Sequence, residues 1–191
     1  MTTSEKISLH TQAALALVCA IAYFYAFKLN LYWFDLFEFS TGVNWIYIPS
    51  GLRLLFVLVL LETGALGIAA ASLLINYTWG SPDAHVFNAV TALISAGAPY
   101  LSRHIAVHFL NLNPQLSGLT AAGFFKISVL FAIVSAALHQ IWFYGYGHTD
   151  NLLNSTLVMG MGDWFGTVLV LAFASLAIKG YQFMSDSVIR R

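Results

Sequence analysis

Charge is what this sequence has least of. Lys, Arg, Asp and Glu make up 8% of its 191 residues, where a soluble domain carries about 25%. So few charges cannot coat a globule for water. Cysteine is nearly absent: Cys19 stands alone inside an apolar run, which excludes an internal disulfide and suits a small packing residue. An excess of either sign is absent too. Eight acids balance eight bases, so nothing marks a nucleic-acid partner. Strict apolar–polar alternation is missing, and with it the pattern of an outer-membrane barrel.

What remains is apolar. Hydrophobic residues are 59% of the chain and mean hydropathy is +0.77. The residues come in unbroken runs, which predicts an all-α fold: a polytopic membrane helix bundle of about six transmembrane helices forming one integral membrane domain over residues 1–191. A span needs about 20 apolar residues. On that measure the spans are placed at about 11–30, 45–61, 65–79, 86–108, 119–142 and 155–179. Between the first two, "LYWFDLFEFSTGVNWIYIP" mixes aromatics with acids, as an interfacial helix or aromatic belt does. Glu62-Thr63-Gly64 is read as a tight turn dividing the long run that follows, with one tilted helix as the alternative. Pro99 is expected to kink the fourth span.

Basic residues orient the bundle. With both termini cytoplasmic, the inner side collects Lys6, Arg103, Lys126, Lys179, Arg190 and Arg191, leaving Lys28 and Arg53 in the outer half. Six of the eight basic residues thus obey the positive-inside rule, placing the chain in a bacterial-type inner membrane with lipid as its first partner.

Polar residues inside the spans are the candidates for function. "VMGMGDWFGTVLVLAFASLAIKG" buries Asp163 among Gly160, Gly162 and Gly166. A charge there is costly without a partner or water. Arg53 lies at similar depth on the second span. The two form either a structural ion pair or the wall of a ligand cavity, and the glycines favour close approach of a helix or a ligand. His104 and His108, four apart in "SRHIAVHF", share one helix face and are the metal or haem candidates. Ile105 stands where a zinc-peptidase helix has glutamate, and Arg103 is adjacent, so the pair reads as interfacial. His139 falls near the opposite end of the bundle. Asn76, Asn88, Lys126 and Gln140 read as interhelical hydrogen-bonding or snorkelling groups, and Glu62 at its cytoplasmic turn as solvated. No Ser-His-Asp set, cysteine redox motif or phosphate-cradling loop occurs, so neither an enzyme nor a cofactor is expected. The Gly-x-Gly of "MGMGDWFG" lacks the strand-then-helix context of a nucleotide site.

"WIYIPSGLRLLFVLVLLETGALGIAAASLLINY" resembles the opening signature of the membrane-associated sensor domain of the first MASE type. Pro49, Ser50 and Gly51 occupy the Pro-small-Gly step, and Gly64, Gly67 and Asn76 follow in order. "MGDWFGTVLVLAFASLAI" is similar to the family's closing helix, with Gly162, Asp163 and Gly166 in place. The resemblance brackets about residues 45–178. It implies a sensor domain that stands alone, without the usual cytoplasmic signalling module, and passes its signal through a separate protein. The function expected is a non-enzymatic membrane sensor binding a small-molecule ligand or a membrane partner. The alternatives are the substrate-binding subunit of a vitamin or small-molecule transporter, and an intramembrane haem or metal protein.

Overall fold

The structure is a computed structural model describing residues 8–80, 83–109, 113 and 120–189, with the backbone alone for residues 35, 178, 179 and 182–189. Lys6, Arg190 and Arg191 of the charge count, and most of the loop at 110–119, lie outside the described residues. Among those described, six helices carry the fold: α1 (Leu9–Phe34), α2 (Ile48–Leu60), α3 (Glu62–Trp79), α4 (His85–Phe109), α5 (Ala121–Gly145) and α6 (Leu152–Ile189). Leu9–Phe34, Ala121–Gly145 and Leu152–Ala177 are long and apolar enough to cross a membrane. Their outward side chains, among them Leu17, Ile21, Ile133, Ile141, Leu157 and Leu169, are exposed. A surface so apolar requires lipid around it.

The other three helices fill the bundle. Helix α2, with 13 residues, is about 20 Å long at 1.5 Å per residue. That falls short of a hydrocarbon core of about 30 Å, so the expected span at 45–61 is not a full crossing by itself. Pro49 sits in its first turn, where its missing N–H is harmless; this starts the helix three residues later than expected. Helix α2 packs against α1, α3, α4 and α6, while α3 lies between α1 and α4, and α5 between α4 and α6. The shortest helix therefore occupies the middle.

The turn between α2 and α3 is tighter than the Glu62-Thr63-Gly64 reading. Leu61 alone breaks the helix at φ 51°, ψ −122°, and Glu62 already begins α3. Gly64 serves the elbow differently, because a Cβ there would strike the carbonyl of Phe56. Helix α3 returns beside α2: Val57 packs on Ile68, and Leu52 joins the cluster of Tyr23, Ala71 and Ile75. One continuous tilted helix is thereby excluded. Helix α4 continues unbroken through Pro99.

The aromatic segment after α1 is not an interfacial helix. Its first residues extend α1 to Phe34, a 3-10 turn follows, and Glu38–Ser40 (β1) pairs antiparallel with Val43–Asn44 (β2). Gly42 takes φ +76°, which a side chain disfavours, and donates its N–H to Glu38 Oε1 at 3.1 Å. That turn chemistry overrides the aromatic pattern. The rest of the boundaries move by a few residues, except that α6 runs ten residues beyond its expected end at 179, to Ile189; Thr120 caps α5 through a 3.1 Å bond from Gly123 N.

Candidate functional site

The site begins with the inward face of α2, where Ser50, Gly51, Arg53, Leu54 and Val57 are buried. Arg53 Nη2 donates to Asp163 Oδ1 at 2.9 Å, with the side chains 2% and 0% exposed. The guanidinium also lies over the rings of Tyr47 and Phe131, at 5.4 and 5.6 Å from their centroids, a cation–π arrangement on two sides. Ser50 Oγ donates to the backbone carbonyl of Asp163 at 2.7 Å, as does Thr167 Oγ1. Ser135 comes close to the Asp163 carboxylate without a hydrogen bond of ordinary geometry. In low dielectric this pairing keeps two charges tolerable.

The glycines near Asp163 admit backbone. A Cβ at Gly162 would strike the carbonyl of Asn44, and one at Gly166 the carbonyl of Tyr47. Tyr47 N donates to Gly162 O at 3.1 Å, so the segment after β2 lies directly on α6. Gly51 meets α6 from the other direction, with its Cβ position 2.6 Å from Val170 Cβ and 2.8 Å from Gly166 O. Close approach is what these residues provide, and chain 44–51 is what approaches.

Above Arg53 lies a cavity of about 480 Å³. Phe27 and Trp79 line it from α1 and α3, while Phe87 and Phe143 line it from α4 and α5. Deeper polar groups are Arg53, Ser72, Thr91, Ser95 and His139; Glu38, Thr41 and Asn44 come from the hairpin. Its exposed rim includes Glu38, Trp79, Gly80 and His148. The cavity thus opens at the end of the bundle that carries the hairpin and the α3–α4 and α5–α6 connections. Asp163 and the three glycines stand behind Arg53 and do not line it.

His139 is a fixed part of this wall. Its Nδ1 is 2.8 Å from the carbonyl of Ser135, which can only accept, so Nδ1 carries the proton. Nε2 is hydrogen-bonded to Ser95 Oγ at 3.1 Å. Both ring nitrogens of His139 thus have partners. His139 is remote from His104 and His108 yet shares the cavity with Arg53, a grouping sequence reasoning missed. The available signal was phase. Asn88, Thr91, Ser95 and Ser102 are all buried on α4, at spacings of three, four and seven that make one inward polar stripe.

The other sequence candidates scatter. His104 and His108 are exposed near the far end of α4, with ring centroids 4.3 Å apart. Among the described residues, no group of three or more His, Cys, Asp or Glu is placed to hold a metal. Asn76 Nδ2 bridges α3 to α4 through Asn88 O at 3.1 Å, and Gln140 Nε2 bridges α5 to α6 through Met159 Sδ at 3.3 Å. Glu62 accepts from Tyr100 at 2.8 Å, while Lys126 is exposed. Phe87 stacks on His148 at 4.1 Å beside Phe143 at 5.3 Å, building the rim.

Comparison of the chain with family models, characterised proteins and solved structures returns no match. The site's chemistry is therefore read from its own geometry. It holds a buried ion pair, a hydrogen-bonded histidine and aromatic walls around a space open at one end.

Proposed function

We propose that this chain is a non-enzymatic membrane receptor that binds one small molecule in the cavity above Arg53. The observation carrying the reading is the cavity itself. Its volume of about 480 Å³ falls within the range of about 300–1,000 Å³ common to ligand sites, and it joins aromatic walls to a few converging polar groups. A bundle needing only mechanical stability would fill such a space with side chains.

The topology belongs to the same proposal. Six crossings, with α2 and α3 counted as short re-packed spans, put both termini in the cytoplasm and the cavity mouth outside. The basic residues Arg103 and Lys126, at the end opposite the mouth, support this orientation. The receptor would act as a sensor of the kind its sequence resembles, handing its state to a separate membrane or cytoplasmic protein. An outward-opening cavity equally favours the substrate-binding subunit of a transporter. The two readings share the ligand site and differ in the partner.

The test is a thermal-shift screen of a metabolite library on purified wild type and on Ser72→Phe, which fills the cavity from α3. A selective ligand stabilises the folded state by mass action. The reading expects a compound that raises Tm in wild type and not in a folded Ser72→Phe. Compounds that shift both proteins equally, or none at all, contradict it.

A further inference from the structure

We infer that the cavity takes a neutral, planar, fused-ring molecule bearing a carbonyl acceptor, with the carbonyl at Arg53 and the ring among the aromatic side chains. This rests on the ligand-binding reading above and names the class of ligand. The first observation is Arg53 itself. It is 1% exposed, lines the cavity, and spends Nη2 on Asp163, while its other guanidinium N–H groups meet no hydrogen-bond acceptor among the described residues, Nε being sealed off from the space. A guanidinium has five donors, and a buried donor left unmade is expensive. A carbonyl oxygen in the cavity meets the guanidinium on the side that lines it.

Charge decides that the ligand is neutral. Arg53 is already compensated by Asp163, and no lysine or second arginine lines the cavity. His139 already has both ring nitrogens engaged, by Ser95 and Ser135. A carboxylate brought to this depth would sit near Asp163 with no cation of its own, and burying an unpaired charge is strongly unfavourable. A cation at that depth would meet Arg53 itself, and the one carboxylate among the lining residues, Glu38, stands out on the exposed rim. Shape decides that it is planar. Phe27 with Trp79, and Phe87 with Phe143, line the space from two directions as pairs tilted by 59° and 38°, and aromatic rings favour another ring in offset-stacked or edge-on contact. The volume exceeds what a single small ring fills.

Four matched probes test this by isothermal titration on the full chain in nanodiscs: quinoline-3-carboxamide, quinoline-3-carboxylate, 3-methylquinoline and decalin-2-carboxamide. They keep the skeleton while changing charge, acceptor or planarity in turn. Quinoline-3-carboxamide is expected to bind at least about tenfold more tightly than each of the others, the loss that follows from one missing charged hydrogen bond or from lost stacking. Binding of the carboxamide should vanish in Ser72→Phe. Equal or tighter binding of the carboxylate, 3-methylquinoline or the decalin, or carboxamide binding retained in Ser72→Phe, overturns the inference. Silence from all four probes, with a different hit in the metabolite screen, overturns the ligand class and leaves the receptor reading. Silence in both experiments overturns both.

Discussion

Arg53 and Asp163, separated by 110 positions in the chain, meet at 2.9 Å with neither side chain more than 2% exposed. The contact joins the central short helix to the last long one. It closes the floor of the cavity, since Arg53 faces the space and Asp163 stands behind it. Removing either partner strands the other charge, at a cost of about 3–5 kcal/mol for buried pairs. Asp163→Ala and Arg53→Ala are each expected to lower Tm and yield sharply in detergent. The double variant should regain part of the loss. A double-variant loss equal to the sum of the singles means that the residues are not energetically coupled.

Close packing on α6 gives a second expectation. Gly162→Ala and Gly166→Ala each force a methyl into a backbone carbonyl of the 44–47 segment, and overpacking costs about 1–3 kcal/mol even where neighbours can move. Gly160→Ala is the control, because its Cβ would lie 3.6 Å from Ala136 Cβ, an ordinary contact. Thermal unfolding should show clear losses for the first two and little change for the third. Equal effects at all three positions would remove the packing explanation.

What the sequence disclosed depended on scarcity. Charges are so few that Arg53 and Asp163 stand out on inspection, and helices follow from unbroken apolar runs. The hairpin was hidden, because Trp, Tyr and Phe around Asp35 and Glu38 look like an interfacial belt while Gly42 decides the turn. The break at Leu61 was hidden too, since a leucine at φ 51° carries no turn signature, and Gly64 beside it does. His139, Ser95, Phe87 and Trp79 lie on three helices, and only tertiary packing brings them to one cavity.

For His104 and His108 the expectation is the absence of a metal. The rings are neighbours and exposed, and no third ligand of the usual kinds stands with them among the described residues. Replacing both by Ala should leave Tm and metal content unchanged. Stoichiometric zinc, or a haem band in wild type that disappears in the double variant, would show that the pair is a ligand set.

Orientation can be tested with single cysteines. Cys19 is 2% exposed, so the native thiol gives a low background. Asp83→Cys and Asp150→Cys, both at exposed positions, should react with an impermeant maleimide added to intact cells. Asn113→Cys should react only after the membrane is opened. Labelling of position 113 from outside would invert or dismantle the six-crossing topology.

The central claim is that one small molecule occupies the cavity above Arg53, and equilibrium dialysis with the strongest hit from the metabolite screen tests it most directly. Purified chain in nanodiscs should bind about one molecule per chain at saturation, as expected for one ligand-sized cavity. Folded Ser72→Phe should bind none. Saturable binding of the same stoichiometry in Ser72→Phe would place the ligand elsewhere and contradict the account.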